Sequence, residues 1–480
     1  MLFNSFEFFV FFASFLAIFF ATPQRFRGVV LLTASYVFYM GWRPAFALLL
    51  LLTTVVDYTT ARVMAASERQ AVRRGAMIVA LTINLGILAT LKYSDFVLTN
   101  IAGLGGLFSI KIPTVVLDLV LPVGISFYTF QSIGYTLDVY ARRIEAERSF
   151  LIYAQYVSFF PQLVAGPIER AGHMLHQFKA SHFITPDRIS TGLWLIGFGL
   201  FKKMCIADQV APFVKAVFSD PKSFNGSYAF LAVLLFTVQI YCDFSGYSTV
   251  ARGVARIMGF RLMVNFTQPY FSLSLTEFWR RWHISLSSWF RDYLYFPLGG
   301  NRVSELRWIF NTMVVFVVSG VWHGASWTFI AWGALHGFGL VVERWAKDHI
   351  APLRVIRHRL GVFGTALGWF WTFTIVFFGW IFFRASSFTK AWAMISAMAH
   401  PGRLDYGAFK VAGLASFELL LVGVFIPLLV VVDLLIRHQQ GLLMRLRQNL
   451  AVNLIGGVGL LYTIAMFGVF GHVDFIYFQF

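Results

Sequence analysis

An all-α, polytopic transmembrane helical bundle is what this sequence predicts, on three observations. Apolar residues make up 58% of the 480 and charged residues only 13%, with a mean hydropathy of +0.70. A soluble chain is about one quarter charged, so this one has too little charge to cover a water-facing surface. Apolar runs such as 45–56 and 419–432 are nearly unbroken, where a membrane β-barrel alternates over segments of about ten residues. Aromatic residues reach 18%, with 55 Phe, a side-chain set suited to lipid tails and the headgroup level. Disorder, collagen and coiled coil are excluded by the same figures.

Apolar spans fall near 5–21, 28–41, 45–61, 76–98, 114–140, 150–168, 192–216, 228–250, 308–321, 325–344, 363–384, 415–435 and 452–470. A crossing needs about 20 residues, so 28–41 and 308–321 are short, and some spans are expected to be re-entrant. The opening MLFNSFEFFVFF has no positive region and no small-residue cleavage pattern, and reads as a retained first helix. No internal repeat or long linker interrupts the chain, so residues 1–480 are expected to form a single transmembrane domain.

The formal net charge of +17 sits in short loops between spans rather than in one basic domain. That distribution predicts positive-inside topology rather than nucleic-acid binding, and it also favours polyanionic ligands on the same face. Arg62, Arg69, Arg73 and Arg74 mark one cytoplasmic loop. Arg354, Arg357 and Arg359 mark a second, and Arg437, Arg445 and Arg447 a third. Counting crossings from these loops puts both ends of the chain on the outer side.

Residues 274–298 differ from the spans. Ser274 and Glu277 have capping-box spacing, which opens a helix at about Leu275. Trp279, Trp282, Leu286, Trp289, Tyr293 and Phe296 then recur at threes and fours, with Arg280, Arg281, Arg291 and Asp292 elsewhere on the wheel. One helix with a broad aromatic face is expected, lying at the interface or lining a cavity.

Ionisable residues inside spans are costly and therefore candidates for function. His323 lies in VVFVVSGVWHGASWTFIAW, His336 in GALHGFG and His283 in the capped helix. On one straight helix, His323 and His336 would face roughly 140° apart, which disfavours a simple pair. Gly324 permits a helix break or close backbone approach. His323 reads either as a buried histidine bonded to a carbonyl or as a working group. Asp243, in VQIYCDFSGYS, needs a partner in this setting. It reads as a structural anchor for an Arg or Tyr, or as part of the site. Cys205 and Cys242 read as packing residues. No P-loop, GxGxxG, GxSxG or metal-ligand spacing occurs, and no metal is expected.

The run NFTQPYFSLSLTEFWRRWHISLSSWFRDYLYFPLGGNR, followed by SGVWHGASWTFIAWGALHG, resembles the membrane-bound O-acyltransferase family, in its bacterial alginate O-acetylation branch. SYVFYMGWRP, NLGILATLKYSDF, LPVGISFYTFQSIGYTLDVY, FPQLVAGPIER and QIYCDFSGYS extend the likeness over most of the chain. The resemblance implies a bundle of roughly a dozen helices, some of them tilted or re-entrant, thinned at the centre by funnels from both sides. It places the family's near-invariant histidine on His323 and a second functional position on His283, while His336 matches a histidine without an assigned role.

The family reaction moves an acyl group from a thioester to a hydroxyl. It calls for a base near neutrality, which histidine supplies, and for donors to the tetrahedral oxyanion. The resemblance implies His323 as base, or as the group polarising the acceptor, and His283 as orienting or oxyanion partner. It implies acetyl-CoA as cytoplasmic donor, with no permanently bound cofactor. The expected role is O-acetylation of an exported polysaccharide such as alginate, from the bacterial inner membrane, with membrane lipids around the chain. D-alanyl transfer to a cell-wall polymer and a non-catalytic acyl transporter are the alternatives. GHVDFIYFQF is too apolar to float in water. It either packs as an anchor or carries Tyr477 as an acyl relay to a periplasmic SGNH-hydrolase-like partner.

Overall fold

The computed structural model describes residues 1–110, 112–113, 116–164, 166–349, 361–439, 441, 449–471 and 475–476. Helices and loops account for all of them, and no strand occurs among the described residues. Contacts divide the chain into one compact unit of residues 1–193 and 251–263, and another of 194–250 and 264–480.

The first unit holds α1 (Phe6–Ala21), α2 (Gln24–Met40), α3 (Ala45–Ala66), α4 (Gln70–Leu107), α5 (Ile125–Tyr140), α6 (Phe150–Ser158), α7 (Phe160–Leu163) and α8 (Ala171–Lys179). Two of the expected spans change here. Within the 114–140 span the described residues 116–124 are not helical and α5 begins at Ile125, just after Pro122, which has no N–H to donate and disfavours helix at the residue before it. The 150–168 span is not a crossing at all. It breaks at Phe159, just before Pro161, into a nine-residue and a four-residue helix. Arg73 is buried within α4, where its guanidinium donates to Met64 O at 2.6 Å and Tyr140 O at 2.8 Å. It thereby satisfies the orphan carbonyls that close α3 and α5.

α9 (Pro186–Leu200) and α11 (Gly226–Met258) each start in one unit and finish in the other. A π-helical turn, Phe201–Ala207, joins α9 to α10 (Asp208–Ser219). The second unit continues with α12 (Leu275–Arg281), α13 (Ile284–Phe290), a π turn (Arg291–Tyr295), α14 (Glu305–His323) and α15 (Trp327–His349). α16 (Val362–Arg384), α17 (Phe388–Met398), α18 (Tyr406–Val411), α19 (Ser416–His438) and α20 (Leu450–Phe467) complete it. α14 and α15 form an antiparallel pair at close range. A Cβ on Gly333 would come within 2.2 Å of Phe316 O.

Eight helices among the described residues are long and apolar enough to cross a membrane, including the 34-residue stretch Pro186–Ser219 and the 23-residue α19. Their outer faces carry large apolar side chains: α20 alone exposes Leu450, Leu454, Ile455, Val458, Leu461 and Met466. In water such a surface would drive aggregation; facing lipid it is the expected covering. The chain is an all-helical, multi-pass membrane protein.

Candidate active site

Every residue of the site lies in the second unit. His323 closes α14, and the chain then turns sharply through Gly324, where a Cβ would stand 2.1 Å from Phe329 Cε2. Any other residue would push that ring aside, so the turn depends on glycine. The reversal ends any common axis for His323 and His336, which sit on different helices. It also brings Trp332 of α15 onto His323. The imidazole meets Trp322, Trp332 and Phe383 edge-to-face, with centroids at 4.9, 4.8 and 5.2 Å.

The expected single helix over 274–298 is broken at His283. Its start is as expected: Ser274 Oγ accepts from Glu277 N at 3.0 Å, and the Glu277 carboxylate reaches back to Leu273 N at 2.9 Å. The helix stops at Arg281, and His283 adopts φ +44° and ψ +53°. A left-handed histidine costs conformational energy and persists only where neighbours impose it.

Asn265 does so. Its carbonyl accepts from Ile284 N at 3.0 Å, and its side-chain Oδ1 accepts from Ser285 N and Ser285 Oγ, each at 3.0 Å. The same Oδ1 lies 3.3 Å from His283 Nδ1. Because a backbone N–H already marks that atom as the oxygen, Nδ1 is the donor. In the neutral ring this leaves Nε2 as the basic nitrogen.

His283 is buried against Phe244, at 4.6 Å, and Trp322, at 6.1 Å. Trp322 thus touches both His283 and His323. His336 is fully buried among Phe278, Trp279 and Trp332. Neither of its ring nitrogens has a hydrogen-bond partner among the described residues. His323 and His336 share Trp332.

A cavity of about 610 Å³ opens beside these aromatics, lined by α12, α13, the π turn, α14 and α15. Arg280, Arg291 and Arg344 line it together with Trp279, Trp308 and Ser319. Arg344 lies over the Trp308 ring at 4.1 Å and Arg291 pairs with Asp292 at 2.8 Å. No acidic partner of Arg280 occurs among the described residues. None of the three histidines lines the cavity, but Trp279 does, and its ring packs on both Trp332 and His336.

Asp243 is an anchor, but its partner is neither Arg nor Tyr. Lys203 Nζ lies 2.7 Å from Asp243 Oδ1 and 2.8 Å from Asp208 Oδ1, all three side chains being buried. The π turn alters the helical register at Lys203, which periodicity alone could not foresee. Cys205 and Cys242 are buried free thiols. Tyr477 lies outside the described residues. Phe475 and Ile476, just before it in the chain, are buried.

The sequence profile of MBOAT, the membrane-bound O-acyltransferase family, matches residues 143–388, which include α6 through α16 and all three histidines. The chain belongs to this family. It is 40% identical over 415 residues to the protein named probable alginate O-acetylase AlgI of Azotobacter vinelandii, covering 86% of this chain and 80% of that one. It is 36% identical over 407 residues to the peptidoglycan O-acetyltransferase of Helicobacter pylori, covering 79% and 75%. The teichoic acid D-alanyltransferase of Streptococcus thermophilus matches less extensively, at 29% identity over 54% of this chain. This member of the family is an O-acyltransferase.

The sequence singles out the three histidines as candidates, but not Asn265, Trp322, Trp332 or Lys203. The first three stand inside the quoted NFTQPY and GVWHGASWTFIAW runs, so a signal was present. It lacked a physical reason until the break at His283 and the reversal at Gly324 were visible.

Proposed function

We propose that this enzyme takes acetyl from cytoplasmic acetyl-CoA and delivers it, across the bacterial inner membrane, for O-acetylation of an exported polysaccharide, alginate or a similar polymer. The observation that carries this reading is the pairing of His283 and His323 on the indole of Trp322, two buried imidazoles in an apolar bundle. The greater extent of the likeness to the two O-acetylating relatives supports acetyl over D-alanyl as the group carried.

On this reading His323 takes the proton from the accepting hydroxyl as its oxygen attacks the thioester carbon. His283, its tautomer set by Asn265, orients the acceptor or stabilises the tetrahedral oxyanion. The C–S bond then breaks and the thiolate leaves with a proton. Arg280, Arg291 and Arg344 hold the phosphates of the donor in the cavity, where an unpaired guanidinium gains most from an anion.

The acceptor within the bundle is the Tyr477 hydroxyl. It passes acetyl to a serine of a periplasmic SGNH-hydrolase-like acetyltransferase, which modifies the polymer. The burial of Phe475 and Ile476 supports the relay reading, since the tyrosine follows them directly in the chain. The test is acetyl transfer by purified protein and its His323→Ala variant. CoA release and polymer acetylation should both disappear in the variant, and substantial transfer by it would remove His323 from the reaction. Tyr477→Phe separates relay from anchor, because it keeps the ring and deletes only the nucleophile.

A further inference from the structure

The Lys203–Asp243 pair does more than neutralise itself. Asp243 has one oxygen on Lys203 Nζ, and its other oxygen, Oδ2, accepts from the backbone N–H of Ile476 at 2.7 Å. Lys203 is shared with Asp208, so one ammonium serves two buried carboxylates. Both carboxylates are buried, so an additional N–H donor is worth far more here than at a surface. Ile476 supplies it from 233 residues further along the chain.

That bond fixes a specific contact chain. Phe475, held next to it, packs its ring 4.6 Å from Tyr247 and 5.7 Å from Phe244. Phe244 in turn stands edge-on to His283 at 4.6 Å. The carboxylate, the phenylalanine pair and the histidine therefore form one continuous packed line within the second unit.

We propose that Asp243, held in place by Lys203, is a latch that fixes Phe475 and Ile476 against the wall of the His283 site, and is thus a positioning residue for acyl transfer. The proposal rests on the reading of His283 as part of the acyl-transfer site. Asp243 touches no reacting atom. It acts by binding the Ile476 N–H, and through Phe475 and Phe244 it confines the ring of His283.

Asp243→Asn removes one of the two carboxylates on Lys203 and leaves Lys203 and Asp208 as a one-to-one pair. The amide has a single oxygen for two donors, so either Lys203 or Ile476 N–H faces an NH2 group instead. Ile476→Pro deletes the N–H and leaves the charges untouched, while exchanging the buried isoleucine side chain for a ring. Ile476→Cys keeps the N–H and places a thiol at a buried position, against native cysteines that are themselves buried.

In the full chain, adding Asp243→Asn to Ile476→Cys should raise the maleimide labelling rate about tenfold or more, as expected for loss of a charge-assisted hydrogen bond. Asp243→Asn and Ile476→Pro should each lower kcat for acetyl transfer about tenfold while the donor KM stays within about twofold. A general packing defect would move both constants. Unchanged labelling, or wild-type kcat in Ile476→Pro, would overturn the latch, and the proline variant decides the matter if Asp243→Asn does not accumulate. Full activity in His283→Ala would instead remove the site reading, leaving the latch to be judged by the labelling rate alone.

Discussion

His283 and His323 share one indole: the Trp322 ring centroid lies 6.1 Å from the first imidazole and 4.9 Å from the second. The residues are forty apart in sequence and reach Trp322 by different devices, a left-handed turn in one case and a helix end in the other. Removing the turn should therefore impair the site without substituting either histidine.

Asn265→Ala is the variant that does so. It deletes the acceptor of Ser285 N, Ser285 Oγ and His283 Nδ1 while leaving the backbone bond from Ile284 N in place. Each lost bond is worth about 1 kcal/mol, so kcat should fall by roughly tenfold to a hundredfold with the protein still folded. Asn265→Asp keeps an acceptor and should retain more activity than alanine. Equal activity in Asn265→Ala and wild type would show that the turn holds without the side chain.

The two histidines were legible because an ionisable group in an apolar run stands out whatever the fold. The break between Arg281 and Ile284 was not, because its determinant is Asn265, eighteen residues upstream of His283, and the local pattern of aromatics at threes and fours continues straight through. The pairing of Asp243 with Lys203 was hidden for a related reason. A buried carboxylate announces that it needs a partner, but partner choice depends on a π turn that shifts register by one residue. The span expected over 150–168 failed differently. Hydropathy reports burial, and a segment buried inside protein is as apolar as one crossing lipid. Tyr153, Tyr156, Phe159 and Phe160 are buried within the first unit without forming a crossing.

Gly324→Ala tests the reversal after His323. The added methyl would stand 2.1 Å from Phe329 Cε2, so the ring or the turn must move. Overpacking of this kind costs about 1–3 kcal/mol, and here the strain falls next to the catalytic candidate. Activity should fall more steeply than thermal stability. Adding Phe329→Leu should restore part of both, and a double variant no better than the single one would place the cause elsewhere.

Orientation follows from charge. The short loop after α3 carries exposed Arg69, and the positive-inside rule puts it in the cytoplasm. A cysteine at Arg69 should be labelled by an impermeant maleimide only after the membrane is opened. Labelling of intact cells would reverse the topology expected for this loop.

The first unit should show a pH dependence of its own. His173 Nδ1 lies 2.7 Å from Glu169 Oε2, in a loop and short helix outside the candidate spans. The bond to Glu169 raises His173 above its ordinary value against the opposing effect of burial, while burial raises the Glu169 carboxyl despite that bond. Both groups therefore hold protons more tightly folded than unfolded. The stability they contribute is present on the acid side and is lost as pH rises through the elevated His173 value. The thermal unfolding midpoint should fall between about pH 6 and 8, and His173→Gln should flatten that slope. A slope that His173→Gln leaves unchanged would contradict the raised value of His173.

The arginine-lined cavity gives the last prediction. Arg291 and Arg344 are already engaged, by Asp292 and by Asp348 with the Trp308 ring. Arg280 lines the same cavity with no acidic partner among the described residues, so it has the most to gain from a bound phosphate. A charge-assisted bond of this kind contributes about 1.5–3 kcal/mol, so Arg280→Gln should raise the acetyl-CoA KM about tenfold or more and leave kcat nearly unchanged. The same variant should lower the salt dependence of donor binding, since one screened charge has gone. Donor lacking the 3′-phosphate distinguishes which anion Arg280 meets. If Arg280→Gln and wild type lose the same factor on that donor, the guanidinium binds the pyrophosphate; if the variant loses nothing further, it binds the 3′-phosphate. A KM unchanged in Arg280→Gln would show that the donor enters by another route.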